Sequence, residues 1–273
     1  MRGHDENQGA GSAITPLRGD AASVLAPVHQ DDRWGRSVRE RLADATVLTP
    51  GLDDVLTLWS TARTSSPTRT WLRRDDELRE RFPGGQVPVV AEILLTTFLD
   101  TTLGGDERDA IKGRHAAAYE LLRTLRKEQE ARRAGELRYL GPDADGPVAA
   151  WAANVNPRLA ALPPAVKQGE LFGAANADLL RGAVWAAARY PFEPSVTAEL
   201  LAAVVEHGVQ INRGLEPGAE VAQAGKVVNA GIAMLATLPD RAGQTQLERL
   251  RVSITNGHHT KHIEKALSAL DAG

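Results

Sequence analysis

Four consecutive stretches decide the fold: NADLLRGAVWAAARY (176–190), PSVTAELLAAVVEHGVQIN (194–212), EVAQAGKVVNAGIAMLATL (220–238) and QTQLERLRVSITNGHHTKHIEKALSAL (244–270). In each, apolar residues recur at three- and four-residue spacing, and Pro, Gly or Asn punctuates the ends. The first aligns Leu179, Leu180, Ala183, Val184 and Ala187; the second Val196, Leu200, Leu201, Val204, Val205 and Val209; the third Val221, Ala224, Val228, Ile232 and Leu235. The fourth splits into two helices at Asn256-Gly257. Starts near Asn176 and Ala219 fall about 43 residues apart, within the period of HEAT and armadillo units. One helix pair cannot bury its own stripe, whereas stacked neighbours share a continuous core. The expected fold is therefore all-α, a HEAT/armadillo-like helical-repeat solenoid built as a right-handed stack of helix pairs, with an orthogonal helical bundle as the alternative. Leu201, Val205, Val228, Leu235 and Leu267 are expected deep in the core.

Composition agrees with helices. Aromatic residues are only 4% of the 273-residue chain, and Ala and Leu, strong helix formers, carry the apolar load. Cysteine is absent, which removes disulfides, thiolate nucleophiles and Cys-ligated zinc or iron–sulfur sites, and fits a reducing cytoplasm, the expected location. The formal charge of −3 demands no polyanionic partner. The longest apolar-looking run, VPVVAEILLTTFL (87–99), is interrupted by Glu92 and two threonines, so it reads as a buried helix rather than a membrane span. Residues 1–30 lack an apolar core suited to a secretory signal.

Four regions follow. Residues 1–30, rich in Gly, Ala, Ser and Pro without periodicity, are expected to be a disordered tail. Residues 31–162 form an N-terminal helical region, 163–175 a connector, and 176–273 the helical repeats. Within 31–162, helical patterns run over 37–48, 52–63, from a Ser66-Pro67 start through Phe82, over 88–103, over 107–133 and over 149–162. Trp34-Gly35-Arg36 spells WGR inside a helical context, unlike the β-rich module that bears that name.

NADLLRGAVWA (176–186), GKVVNAGIAML (225–235) and LERLRVSITNGHHTKHIEKAL (247–267) resemble consecutive helices in the HEAT-like region of large bacterial proteins of unknown function. Many of those proteins carry a WGR module, and some are labelled molybdate-metabolism regulator-like. The resemblance lies mainly over 176–267, and the chain departs from it at Ala233, where the family often has an aromatic residue. It implies an intracellular scaffold or adaptor, and no catalytic residue set travels with it.

Few residues invite chemistry. His258 and His262 stand four apart, the spacing of a helical zinc pair, with His259 between them. A third ligand is not evident, position 259 is not the Glu of a metalloprotease, and Lys261 and Lys265 would repel a dication; a polar surface helix start is the plainer reading. Arg249, Arg251, Lys261 and Lys265 give the last helices a basic excess, and 112–133 holds seven basic against three acidic residues. Either could meet phosphates, but Tyr119 is the lone aromatic for base stacking. Asp178, Arg181 and Trp185 occupy successive turns of one helix, as a base-processing HEAT-like enzyme would need; the plainer reading is a capping acid, an exposed Arg and a core Trp. Adjacent acids at 53–54 and 75–76 point about 100° apart on a helix and share no site readily. Dinucleotide, phosphate-loop and nucleophile-elbow motifs are missing.

The sequence thus predicts a non-catalytic scaffold with a protein partner, no cofactor, no metal and no membrane association. Arg181, Arg249, Arg251, Lys261 and Lys265 are its candidate interaction surface. A nucleic-acid binder or base-processing enzyme is the alternative, favoured if Trp185 is exposed beside Asp178 in a basic groove.

Overall fold

Small apolar side chains let helices approach closely, and the chain uses them throughout. The computed structural model describes residues 21–45, 48–81, 85–133, 157, 168–213 and 223–271, and all regular structure among them is helical. The N-terminal part contributes α1 (Ala21–Val24), α2 (Arg33–Asp44), α3 (Leu52–Trp59), α4 (Arg69–Arg79), α5 (Gln86–Asp100) and the long α6 (Gly105–Arg133). After a one-turn α7 (Gln168–Leu171) come α8 (Ala174–Arg189), α9 (Pro194–Arg213), α10 (Gln223–Leu235), α11 (Ala242–Ser253) and α12 (Gly257–Asp271).

The packing resolves into two rows. In one, α2 lies on α5, α5 on α9, and α9 on α11. In the other, α3 lies on α8, α8 on α10, and α10 on α12. The rows meet along α5–α8, α9–α10 and α11–α12. One buried apolar cluster runs through both, from Leu25 to Leu267, so residues on either side of the 163–175 connector share a core. The five residues expected deepest are all buried. No helix among the described residues is long and apolar enough to cross a membrane.

Local signals explain the starts. Asp32 caps α2 by accepting from Gly35 N at 2.7 Å. For α4 the sequence favoured Ser66-Pro67, but Thr68 is the cap, its hydroxyl oxygen accepting from Trp71 N at 3.2 Å. Val196, placed on the inward stripe of α9, is 55% exposed instead. The buried stripe enters through Thr197 and Ala198, four and three residues before Leu201, and position 196 falls well off that face.

Two expected boundaries shift. Leu25 and Val28 are core residues, so the part of the 1–30 tail that is described is packed; residues 1–20 lie outside the described residues. In the expected connector, Leu171 and Phe172 are fully buried, with the Phe172 ring 5.5 Å from Trp34 and 5.0 Å from Phe98. The helix expected over 149–162 and most of 134–167 lie outside the described residues.

Glycines set the closest approaches. A Cβ at Gly182 of α8 would stand 2.4 Å from Trp59 Cα and 2.5 Å from Trp59 O, so α3 is seated directly on α8. Between α9 and α10, a Cβ at Gly208 would meet Val228 and one at Gly231 would meet Val205, each at 2.6 Å. Gly182→Ala is expected to cost about 2–3 kcal/mol despite better helix propensity, because backbone must move. Gly231→Ala is expected to cost less, since one valine methyl has to yield. Urea unfolding of the two variants checks the order, and equal stabilities would show that α3 does not sit on α8 in this way.

Candidate interaction surface

The candidates begin with α8. All residues from Asn176 to Ala188 are buried, including Asn176, Asp178 and Arg181. Gly173 is the N-cap of α8, and Asn176 lies within its first turn. The Asn176 side chain accepts from His29 N at 3.0 Å and donates to His29 O at 2.9 Å and Asp32 Oδ2 at 2.8 Å. Asp32 also accepts from Gly173 N at 2.5 Å. Burial raises the Asp32 carboxyl above its usual range against the pull of these donors.

Asp178 sits between two guanidiniums. Arg63 pairs with its Oδ2, and Arg181 donates to its Oδ1 at 2.5 Å. Arg181 also donates to Thr64 O at 3.3 Å, while its Nε is buried without a partner. Desolvation pulls the Arg181 pKa down, with Asp178 opposing and Arg63 reinforcing that pull. Arg181 therefore leaves the candidate surface: only 3% exposed, it lies beneath the 60–68 loop, which the sequence reading did not fold over α8. Trp185, 2% exposed, donates its indole N–H to Ser65 O at 3.1 Å and meets the Trp71 ring edge-to-face at 5.0 Å. Sequence reasoning missed Arg63, the partner that joins loop to helix; nothing in local spacing marks a residue 115 positions away.

The other four candidates are at the surface on α11 and α12. Arg251, Lys261 and Lys265 are exposed. Arg249 is engaged by Glu206 of α9 at 2.9 Å and by Gln246 at 2.9 Å. Ser253 donates to the same Glu206 oxygen at 3.0 Å. The basic excess of this end is thus partly neutralised within the fold.

The histidines divide. His258 is exposed, whereas His259 is 5% exposed, so the helix start is not wholly a polar surface. His259 Nδ1 lies 3.2 Å from Asn229 Oδ1 on α10, and the His258 and His262 rings are 4.7 Å apart. Among the described residues, no group of three or more His, Asp or Glu side chains is placed to hold a metal. Burial, with His258 and His262 adding repulsion, holds His259 down to about 4.

A groove of about 680 Å³ opens at the C-terminal ends of α8 and α10. Pro67, Leu72, Trp185, Pro191, Met234 and Pro239 form most of its wall, and Phe192, next in sequence to Pro191, is 61% exposed. Arg189 stands at its polar edge, bridging Asp75 at 3.2 Å and Asp76. Tyr190 donates to Asp75 Oδ2 at 2.5 Å, and Arg79 covers its ring at 4.4 Å. Burial and the Asp75 carboxylate push the Tyr190 hydroxyl up to about 12. Two acids that point apart on α4 thus converge on one arginine from α8, an arrangement that helical spacing alone does not reveal.

No protein-family model matches the chain, and no characterised protein or solved structure is significantly similar to it.

The buried histidine sets a pH dependence. An unfolded His259 takes up a proton as pH falls through about 6.5, whereas the folded one resists until about 4, so stability is lost progressively between those values. His207 and His262, also lowered, act in the same sense. The raised carboxyls of Asp32 and Asp75 oppose them at the acidic end, because a raised acid stabilises the fold as it protonates. The His259 contribution is on the order of 3 kcal/mol. Thermal melts of wild type and His259→Gln across this range are expected to differ in slope, with the variant flatter; parallel curves would exclude His259 as the source.

Proposed function

We propose that the protein is a non-catalytic helical-repeat scaffold, an α-solenoid of HEAT-like character that engages a partner protein. The two-row packing carries this reading. In each row a helix lies on its row neighbours, and α5–α8, α9–α10 and α11–α12 pair across the rows, as in stacked helix pairs, and such stacks offer extended surfaces for binding. The groove at the ends of α8 and α10 is the most suitable docking place. Its volume falls within the range of ligand and anchor pockets, and its wall is chiefly apolar. The resemblance of 176–267 to the HEAT-like region of large bacterial proteins of unknown function, which implies a scaffold or adaptor, agrees with this reading.

The nucleic-acid alternative has less support. Trp185 is buried, Arg181 is committed to Asp178, and Arg249 is committed to Glu206. The fully free cations of the original set are few for a phosphate-tracking surface.

The test combines capture with a groove-filling variant. Thr237 is exposed at the groove wall, so Thr237→Arg narrows the opening without entering the core. Tagged wild type from the native host is expected to retain protein partners after nuclease treatment, and Thr237→Arg, with an unchanged melting temperature, to lose them. Partners released by nuclease, or equally retained by the variant, would overturn the reading.

A further inference from the structure

A second, smaller cleft has a different chemistry. It lies between the end of α3, the 60–68 loop and the first turns of α4, and has a volume of about 270 Å³. Arg63 and Arg74 face it, together with Thr68, Thr70 and the Trp71 ring, and no carboxylate lines it. The sequence from 55 to 74 contains Arg63, Arg69, Arg73 and Arg74 and no acidic residue.

The donors are available. The Thr68 hydroxyl oxygen accepts from Trp71 N, which leaves its O–H free to donate into the cleft. Neither Thr70 nor Arg74 has a hydrogen-bond or ion-pair partner among the described residues. On its other side Arg74 overlooks a cleft that also holds Asp54 and Glu77, neither of which pairs with it. Arg63 uses one nitrogen for both Ser60 O and Asp178. Its remaining N–H groups are unspent.

The charge behind the wall is unbalanced. Arg63 and Arg181 share the single carboxylate of Asp178, and Arg181 donates to Thr64 O in the cleft wall. Arg181 is nearly fully buried, and its Nε has no partner. Two guanidiniums on one carboxylate leave one surplus positive charge: Arg181 and Asp178 are the buried pair, and the Arg63 side chain, 64% exposed, is open to a second anion. The cleft is the adjoining space, and its lining presents donors and no carboxylate.

We propose that this cleft binds a tetrahedral oxyanion of the phosphate class, held by Arg74 and Arg63 with the Thr68 and Thr70 hydroxyls. Arginine suits that task because its planar fork matches phosphate oxygens. The site is separate from the apolar groove and does not depend on the scaffold reading.

Calorimetry and ³¹P NMR with inorganic phosphate on the full chain test it. Wild type is expected to bind phosphate and sulfate, and to gain melting temperature with either, but not with chloride at matched ionic strength. Arg74→Gln is expected to weaken binding about tenfold or more, as loss of a charged hydrogen bond does. Because Arg74 is exposed and unpaired, that variant keeps its fold. Thr237→Arg, in the groove, is expected to bind phosphate like wild type. A short phosphoserine peptide, compared with inorganic phosphate, separates a phosphate carried on a chain from the free anion; tighter binding of either, lost in Arg74→Gln, supports the site. Absence of phosphate binding by wild type, or equal binding by Arg74→Gln, would overturn it.

Discussion

Burial of α8 on all sides is the constraint from which the rest follows. Thirteen successive residues, Asn176 to Ala188, are buried, and three of them carry strongly polar side chains. A helix satisfies its own interior backbone groups but not those side chains, and each one left unsatisfied would cost about 1–3 kcal/mol. Every solution recruits the N-terminal third of the chain. Asn176 bonds His29 and Asp32, Asp178 pairs with Arg63, Arg181 bonds Thr64, and Trp185 bonds Ser65. The loops before α2 and α4 are therefore fixed by what α8 must bury. The apolar groove and the arginine-lined cleft both border the 60–68 loop, with Trp185 in the wall of each.

Much of the helical content was legible in the sequence because Ala and Leu at helical spacing have few other uses. Leu201 and Val228 lie inside as their stripes require, and Phe98 is buried in the run read as a buried helix. The polar positions of α8 were misread for an equally physical reason. Asp178 reads as a capping acid and Arg181 as an exposed residue, and local spacing cannot distinguish an exposed charge from one paired beneath a loop. The partner of Asp178 stands far away in sequence, so no local pattern announces it. The first residues of the fold were missed differently. Leu25 and Val28 are too few to satisfy a compositional test for order, yet the His29 backbone is clamped by Asn176 and the cluster closes over them. Composition weighs a segment alone; packing weighs it against a surface already formed.

The candidate surface divides along the same line. Arg251, Lys261 and Lys265 stayed outside and are exposed. Arg249 went to Glu206, and Arg181 to Asp178. Arg189, unremarkable in the sequence, became the bridge between Asp75 and Asp76. A basic residue in this chain is informative chiefly through its acid, and the acid is set by topology.

The glycines and the buried ions solve complementary problems. Gly182, Gly208 and Gly231 let α3 seat on α8 and α9 on α10 at close range, and each close approach fits glycine at that one position. Sliding α8 by one turn would bring Asp178 or Ala186 onto Trp59, where no Cβ fits. It would also strand Asp178 from Arg63, Asn176 from Asp32 and Trp185 from Ser65, each at the cost of a buried, unsatisfied group. Those penalties fall on the same neighbouring registers that Gly182 disfavours. Since the 60–68 loop is held by those same bonds, the register of α8 also determines whether Arg63, Thr68 and Arg74 share one cleft, so the positioning of that cleft is tied to the choice of fold.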